Sequence, residues 1–240
     1  MVNLIVDALA DGRGGWVVTP NLDHLRRLRL DGQFRDVCRQ ASLLVADGVP
    51  LVWASRMQGT PLPERVAGSN LIFSLTEAAA VEGRSIFLLG GNPGTAEAAA
   101  DEFRRRYPRI HVAGTYCPPV GFESDAEEMA RIRTVLADAR PDIVYVALGS
   151  PKQERLILQL RELLPQTWWL GVGVSFSFVC GDVRRAPRWM QRVGLEWLHR
   201  LCQEPRRLAR RYLVHGIPFA AHLFASALYC RVRRRWGGSR

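Results

Sequence analysis

The chain has 240 residues, of which 48% are apolar and 23% charged, so it can bury the core of one or two domains and is not intrinsically disordered. Its net charge of +10 is unevenly distributed, because residues 184–240 hold 14 arginines and two acids, whereas the preceding 183 residues hold 19 basic and 21 acidic side chains. A cationic segment that follows a slightly acidic body predicts an anionic partner at one end, either nucleic acid or phospholipid.

The cysteines and the first residues predict the compartment in which the protein works. Five cysteines without a C-x-x-C pair or metal-ligand spacing are typical of a reducing compartment and not of a disulfide scaffold. Residues 1–7 lack the basic segment and long apolar run of a signal peptide. We therefore expect a cytoplasmic protein.

Short apolar runs alternate with longer amphipathic stretches, which is the pattern of βα units. The predicted strands cover residues 16–18, 43–46, 85–89, 110–113, 142–147 and 168–172. The clearest predicted helices cover residues 70–82, 95–106, 125–139 and 151–164. Because the strands are nearly continuous apolar runs, we expect an α/β fold with a doubly wound, mostly parallel Rossmann-like sheet. The predicted domains are an α/β domain over 1–195 and a basic helical C-terminal appendage over 196–240.

Ligands of such sheets bind beyond the carboxyl ends of the strands, so the residues that follow each strand are the candidate site. After the first strand, Thr19 and Asn21 flank a proline, and Asn21 either binds a ligand or caps the next helix. After the second strand, Asp47 precedes a glycine. This carboxylate is either part of a turn or a partly desolvated general base.

The third strand is followed by a glycine pair and an amide, Gly90, Gly91 and Asn92. Glycines at this place let backbone N–H groups approach a phosphate at a helix N-terminus. Because the glycines are adjacent, the spacing does not match a dinucleotide fingerprint. A nucleotide diphosphate remains compatible with the pattern.

The fifth strand is followed by G-S-P-K-Q-E, residues 149–154. Ser150 as N-cap, Pro151 at the first helical position and Gln153 three residues after the cap predict a capping box. Lys152 is not needed for that box, and it is the only lysine in the chain. It is either an accidental surface charge or a cation directed at an anionic ligand.

The C-terminal arginines surround an uncharged segment over residues 212–230. Its 19 residues approach the roughly 20 that span a bilayer, but a spanning helix would place one arginine cluster on the wrong side. An amphipathic segment at an anionic leaflet satisfies both clusters. Core packing or a contact between copies of the chain is the alternative. Before the segment, one helix face is predicted to carry Arg206, Arg207, Arg210 and Arg211.

Nucleic acid is the weaker candidate for the anionic partner. The basic segment lacks interleaved surface aromatics and any recognised nucleic-acid-binding module. We therefore expect no nucleic-acid partner and favour a membrane surface.

Seven motifs occur in one order along the chain: T-P-N (19–21), D-G (47–48), P-E-R-V-x-G (63–68), L-L-G-G (88–91), G-S-P-K-Q-E (149–154), R-A-P (185–187) and G-L-E-W (194–197), the last followed by E-P-R. In this combination the sequence resembles the WecG/TagA/CpsF family of bacterial glycosyltransferases from about residue 17 to residue 211. The resemblance implies an inverting enzyme at the cytoplasmic membrane face. It would move an N-acetylmannosamine-type sugar from a UDP donor to polyprenyl-diphosphate-linked N-acetylglucosamine, in teichoic acid or surface-polysaccharide assembly.

The resemblance also implies roles for individual residues. Asp47 falls on the family's proposed catalytic base, and Thr19 on its active-site turn. The predicted substrate-binding residues are Asn21, Gly90, Gly91, Asn92, Lys152, Gln153, Arg206, Arg207 and Arg210. Because the chain contains no D-x-D pair, we expect transfer without a metal ion or other cofactor, with backbone amides and these cations neutralising the leaving diphosphate.

Two positions depart from the family pattern. Asn70 and Ser177 stand where the family usually has carboxylates. The alternative hypothesis is therefore a nucleotide-sugar-binding or assembly protein of the same fold that has lost catalysis.

Overall fold

A computed structural model describes residues 1–237. Its six strands form one sheet in the order β2-β1-β6-β5-β3-β4, and every neighbouring pair is parallel. The strands are β1 Gly15–Val18, β2 Leu43–Leu44, β3 Ser85–Gly90, β4 His111–Tyr116, β5 Ile143–Ala147 and β6 Trp168–Gly171. This arrangement confirms the predicted doubly wound, Rossmann-like α/β fold.

Helices fill the connections between the strands and continue after them. They are α1 Val2–Ala10, α2 Leu22–Leu30, α3 Gly32–Arg39, α4 Val49–Gln58, α5 Gly68–Val81, α6 Thr95–Arg106, α7 Ala126–Ala139, α8 Lys152–Leu160, α9 Ser175–Val179, α10 Arg188–Arg192, α11 Glu196–Gln203, α12 Pro205–Ala209 and α13 Ile217–Gly237. Short 3₁₀ turns occupy Phe122–Ser124 and Arg161–Leu163, and a π-helical segment occupies Arg210–Gly216.

The centre of the sheet is buried on both faces. Every residue of β3, β5 and β6 is buried, because α5 and α6 pack against β3 while α8 packs against β5 and β6. The one phenol in this layer, Tyr145, is satisfied by the Thr76 hydroxyl at 3.0 Å. Burial of polar groups without a partner is costly, so this hydrogen bond permits a tyrosine in a fully apolar strand.

Some elements end earlier or later than the sequence predicts. β2 has two residues instead of the predicted four, because the Ala46 carbonyl accepts from the Val66 N–H at 2.9 Å and the Asp47 N–H donates to the Pro20 carbonyl at 2.8 Å. These bonds take the chain out of the ladder. β4 runs to Tyr116, beyond the predicted end at 113. α8 ends at Leu160 and is followed by a 3₁₀ turn.

The predicted capping box at α8 is wrong. The N-cap is Pro151, and no side chain caps the helix. Ser150 therefore precedes the helix by two residues, and Gln153 belongs to the first turn, where its N–H donates to the Gly149 carbonyl at 3.0 Å. The side chain of Gln153 is thus free for the other contacts described below.

The chain divides into two compact units. Unit 1 consists of Met1–Val18, Asp36–Leu44 and Gly68–Arg184, and it contains the whole sheet. Unit 2 consists of Thr19–Arg35, Val45–Ala67 and Arg185–Arg240. The predicted appendage over 196–240 is thus part of unit 2, together with two segments from the first third of the chain. The predicted boundary at 195 stays a prediction.

The C-terminal helices form one long helical segment in unit 2. The stretch Pro205–Arg234 is long and apolar enough by composition to cross a membrane, and only 6% of its most apolar window is buried. Its uncharged centre carries exposed Leu213, Val214 and Ile217, while α13 packs against α4. The π-helical segment ends at Gly216, and Pro218 is the second residue of α13.

An acidic side chain at the start of β5 ties it to β3 in unit 1. The Asp142 carboxylate accepts from the Ser85 N–H and hydroxyl, both at 2.7 Å, and pairs with Arg84 at 3.2 Å. Burial by itself would raise the pKa of Asp142, but the Ser85 hydrogen bonds and Arg84 together outweigh burial and lower that pKa. A lowered pKa means that ionised Asp142 stabilises the fold above the pKa of the unfolded chain, and that the contribution is lost as the pH falls through the folded-state value.

We expect Asp142→Ala to lower the free energy of unfolding by about 1.5–3 kcal/mol at pH 7, the usual value of hydrogen bonds to a charged group. The deficit relative to the parent should shrink below about pH 4, near the pKa of an unfolded aspartate. Urea unfolding at pH 7 and pH 3 measures both values. The matched control is Asp138→Ala, at an exposed position of α7, and an equal deficit in both variants would contradict the prediction.

Candidate functional site

The turn after β1 and the residue Asp47 lie together in unit 2. The Asp47 N–H donates to the Pro20 carbonyl at 2.8 Å, which joins the T-P-N turn to the D-G turn. Asn21 caps α2, since its Oδ1 accepts from the N–H groups of Asp23 at 3.0 Å and His24 at 3.2 Å. Asn21 therefore caps α2, as one of the two alternatives predicted. The role of Asn21 in substrate binding stays a prediction. Thr19 is half-buried beside it.

Asp47 belongs to a cluster of four charged side chains. Arg65 Nε lies 3.7 Å from Asp47 Oδ1, and Arg65 Nη2 donates to Glu196 Oε2 at 2.9 Å. Arg185 Nε lies 3.7 Å from Glu196 Oε1. The exposed fractions of the side chains are 25% for Asp47, 21% for Arg65, 18% for Glu196 and 21% for Arg185. At such partial burial the charges interact more strongly than they would in bulk water.

Backbone geometry fixes this cluster. Arg65 Nη1 donates to the Gln191 carbonyl at 3.0 Å, so the guanidinium is held by both a carboxylate and the main chain. Gly194 adopts φ +77°, and a Cβ there would stand 3.0 Å from the Val49 side chain. Only glycine therefore fits the turn that precedes Glu196, the first residue of α11. The G-L-E-W motif is a close turn followed by a helix start that presents a carboxylate.

Arg185 is a partly buried cation of the cluster. Burial lowers its pKa, and the neighbouring Arg65 guanidinium acts in the same direction, while Glu196 and Asp47 partly offset both effects. An arginine stays protonated even so, because its ordinary pKa lies far above neutral pH. A desolvated guanidinium of this kind binds an anion more strongly than an exposed one does.

The predicted C-terminal arginines lie on the surface of unit 2. Arg206, Arg207 and Arg210 are exposed, and Arg207 pairs with Glu204 at 2.6 Å. Arg211 is instead tied to α2 through Asp23 at 3.1 Å. The first three arginines form an exposed surface cluster, which we call the arginine face, whereas Arg211 contacts α2.

In unit 1 the carboxyl end of β3 carries the glycine pair. Gly90 and Gly91 have φ of +94° and +91°, and a Cβ at Gly91 would stand 2.4 Å from the Thr95 hydroxyl. The Gly91 N–H donates to the Ala147 carbonyl at 2.8 Å. This amide is thus used within the sheet, and the predicted role of Gly90 and Gly91 in substrate binding stays a prediction. Asn92 is exposed, and its carbonyl accepts from the Thr95 hydroxyl at 2.7 Å.

Gln153 is buried in unit 1 against the end of β6. Its Nε2 donates to Glu154 at 2.9 Å, and its Oε1 accepts from the Gly173 N–H at 3.1 Å. A Cβ at Gly171 would stand 2.5 Å from Gln153 Nε2. Gln153 therefore sets the path of the loop that follows β6, and its predicted contact with the donor stays a prediction.

Lys152 has a carboxylate partner within unit 1. Its Nζ lies 2.5 Å from Glu123 Oε1, and this hydrogen bond is the main reason that the pKa of Glu123 is lowered. Both side chains are substantially exposed, so the pair contributes little to stability. An anionic ligand would have to compete with Glu123 for this cation.

The two positions that depart from the family pattern lie in unit 1. Asn70 is exposed in the first turn of α5, whereas Ser177 is buried within α9. Within residues 1–237, side chains of His, Cys, Asp and Glu form no group of three that could hold a metal ion. Transfer without a metal stays a prediction.

Sequence reasoning assigned no role to Arg65, Arg185 or Glu196. Each lies inside one of the motifs noted above, namely P-E-R-V-x-G, R-A-P and G-L-E-W. Arg65 and Glu196 are 131 positions apart, so their contact depends on the folded chain. The sequence hinted at a shared role for these three residues only because their motifs occur in the same chain as the D-G motif of Asp47.

Comparison with known proteins gives one matching family and several similar proteins. The family described as "Glycosyl transferase WecG/TagA/CpsF family" matches residues 1–233. A protein of Bacillus spizizenii, strain W23, is 33% identical over 202 residues, which cover 84% of this chain and 76% of that protein. A protein of Bacillus subtilis, strain 168, is 35% identical over 180 residues, which cover 75% and 68%. Both are named N-acetylglucosaminyldiphosphoundecaprenol N-acetyl-beta-D-mannosaminyltransferase.

Proposed function

This chain belongs to the WecG/TagA/CpsF family of glycosyl transferases, and from that premise we propose that it transfers N-acetylmannosamine to N-acetylglucosaminyl-diphosphoundecaprenol. The names of its two relatives support this sugar and this acceptor. We further propose that the donor is the UDP-sugar, that the configuration at the anomeric carbon is inverted, and that the reaction takes place on the cytoplasmic face of the membrane.

The observation that carries the proposal is the Asp47 carboxylate, held 3.7 Å from Arg65 at the end of a turn. Transfer requires that the attacking hydroxyl of the acceptor lose a proton as the nucleoside diphosphate leaves from the opposite face of the sugar. A carboxylate within hydrogen-bond reach of that hydroxyl performs this step as a general base. Asp47 is partly desolvated, as such a base requires. Thr19 lies two residues before the cap of α2 and would orient the reacting groups.

The leaving diphosphate must be neutralised. In unit 2, Arg65 and Arg185 offer guanidinium groups that match phosphate geometry. Each well-placed donor to the developing charge contributes roughly 3–4 kcal/mol. These groups support transfer without a metal ion.

The arginine face and the apolar helix surface support peripheral attachment to the membrane. A lipid-linked acceptor is confined to a plane, and a protein with Arg206, Arg207 and Arg210 at its surface is attracted to an anionic leaflet. In this arrangement the exposed apolar side chains of residues 213–217 enter the interface, and the same arginines meet the diphosphate of the acceptor.

A donor screen tests the proposed reaction. UDP release is followed for a panel of UDP-N-acetylhexosamines with a short-chain lipid-diphosphate N-acetylglucosamine as acceptor, with and without a chelator. We expect turnover with the N-acetylmannosamine donor and an unchanged rate with the chelator present. UDP binding without turnover of any donor would instead favour the non-catalytic alternative, and loss of the rate with chelator would contradict metal independence.

A further inference from the structure

Large apolar side chains are exposed at α10 of unit 2, outside the C-terminal segment described above. Trp189 is 61% exposed and Val193 is 49% exposed. The Val193 N–H donates to the Trp189 carbonyl at 3.1 Å, so the two residues lie one helical turn apart on the same side. Tryptophan is highly buried on average, because its ring is large and mostly apolar. An exposed tryptophan beside an exposed valine is therefore typical of a surface that binds another molecule.

Helix α4 extends this apolar surface. A Cβ at Gly194 would stand 3.0 Å from the Val49 side chain, so the turn after α10 packs directly on α4. Trp53 lies one turn beyond Val49 on the same face of α4 and is 46% exposed. These contacts bring Trp53, Trp189 and Val193 to one region of unit 2, which we call the tryptophan patch. Because α13 also packs against α4, the patch is connected through α4 to the C-terminal helix.

The charges around the tryptophan patch suit an anionic surface. Arg188 is exposed directly before Trp189, and Arg56 is exposed three residues after Trp53. Among the residues of unit 2 that the structure describes, Glu64 is the only exposed acid. Segments that lie in a membrane interface combine tryptophan with basic side chains in this way. A second copy of the chain would bring its own arginines against these, so the charges favour a lipid leaflet over a contact between copies.

We propose that the tryptophan patch is a second membrane contact of this protein, in which its three apolar side chains enter the interface of an anionic leaflet. Tryptophan rings favour the headgroup level of a bilayer, and Arg56 and Arg188 stay among the headgroups. The patch belongs to α4 and α10, so this contact is separate from the arginine face. It fixes how unit 2 is oriented on the membrane. The inference rests on the proposed attachment to the membrane and does not depend on the proposed reaction.

The first test is fluorescence quenching by lipids that carry bromine on their acyl chains. Tryptophan emission is compared on phosphatidylglycerol vesicles with brominated and with ordinary chains, at saturating lipid. We expect Trp189→Phe to lose part of the quenching seen in the parent, because phenylalanine keeps the apolar surface but removes the indole that meets the chains. The rings of Trp16 and Trp169 are buried and add a background that bromine does not change. Equal fractional quenching in parent and variant would overturn the proposed contact.

The second test is co-sedimentation of Trp189→Ala with phosphatidylglycerol vesicles. We expect binding to weaken by about tenfold, the usual effect of removing a large apolar side chain from a buried position. The factor should be the same at low and at moderate salt, because an apolar contact has no charge to screen. This behaviour distinguishes the tryptophan patch from the arginine face. Unchanged binding, or a loss that disappears as salt is added, would contradict the proposal.

Val193→Asp and Val120→Asp form a matched pair for the same measurement. Both variants replace an exposed valine and change the net charge equally, but Val120 lies in unit 1. We expect Val193→Asp to bind anionic vesicles at least about tenfold more weakly than Val120→Asp, because it places a carboxylate against the charged leaflet and removes an apolar contact. Equal binding by the two variants would refute the patch. This comparison also decides the question if Trp189→Ala fails to fold.

Light scattering of the parent and of Trp189→Ala without lipid tests the other occupant. If the parent is a dimer that the variant dissociates, and both bind vesicles equally, the tryptophan patch is a contact between copies and the proposal is wrong. If the parent itself does not bind anionic vesicles, the proposed membrane attachment fails together with this inference. If the parent binds and Val193→Asp binds equally well, the attachment stands and only the tryptophan patch is refuted.

Discussion

Asp47→Asn should lower kcat by about 10²–10⁴-fold, the usual contribution of a general base. Asparagine has the size of aspartate but cannot accept the proton of the attacking hydroxyl. The substitution also removes the charge that faces Arg65, but this contact of 3.7 Å is longer than a hydrogen bond. Arg65 keeps its bonds to Glu196 and Gln191, so the fold of unit 2 should be retained.

The measurement is UDP release at saturating donor and acceptor, together with the urea midpoint of each variant. Asp36→Asn is the matched control, because this aspartate pairs with Arg39 on the surface and has no role in the proposed reaction. A parent rate in Asp47→Asn would refute the assignment of the base. A large drop in the urea midpoint would show that the lower rate results from loss of stability and not from loss of the base.

Replacing Arg206, Arg207 and Arg210 together with glutamine should weaken binding to anionic vesicles by about 10²-fold at low salt. Each arginine near an anionic leaflet contributes about 1 kcal/mol, and about 1.4 kcal/mol corresponds to a tenfold change in affinity. The effect should diminish as ionic strength rises, because salt screens exposed charges. Co-sedimentation with phosphatidylglycerol vesicles, compared with phosphatidylcholine vesicles, measures the change.

The control for this triple variant removes the same charge elsewhere. Exposed arginines of unit 1 suit this purpose, namely Arg109, Arg133 and Arg155. If both triple variants lose the same fraction of vesicle binding, the net charge of the protein and not the arginine face governs attachment. Full binding by the first variant would assign the attachment to the apolar side chains or to the arginines of α13.

The sheet could be predicted because its strands are buried on both faces. β3 and β5 are buried at every position and consist mainly of large apolar residues, and such runs between amphipathic helices permit few other structures. β2 was predicted two residues too long, because the hydrogen bonds of Ala46 and Asp47 lead the chain away from the ladder. Those bonds involve residues distant in sequence or lying in a turn, and composition does not encode them.

Only some residues of the candidate site could be predicted from the sequence. Asp47 and the T-P-N turn could be found because they follow strands, where ligands of this fold bind. The partners of Asp47 could not, since Arg65 and Glu196 are 131 positions apart and come together only in the folded chain. At Ser150 a local pattern led to a wrong prediction. The sequence has the residues of a capping box, but the N-cap of the helix is Pro151 and no side chain caps it. Local signals predict elements, whereas the charge cluster depends on long-range contacts.

The order of the segments in unit 2 has a consequence for synthesis. On the ribosome, chain elongation proceeds at roughly 5–20 residues per second. The nascent chain exposes Asp47 and Arg65 early, but Glu196 emerges 131 residues after Arg65, some 7–26 s later at that rate. The charge cluster is therefore completed among the last contacts of the molecule. A translation product that stops before residue 185 contains the proposed base but neither Arg185 nor Glu196, so it lacks two of the four charged side chains of the cluster.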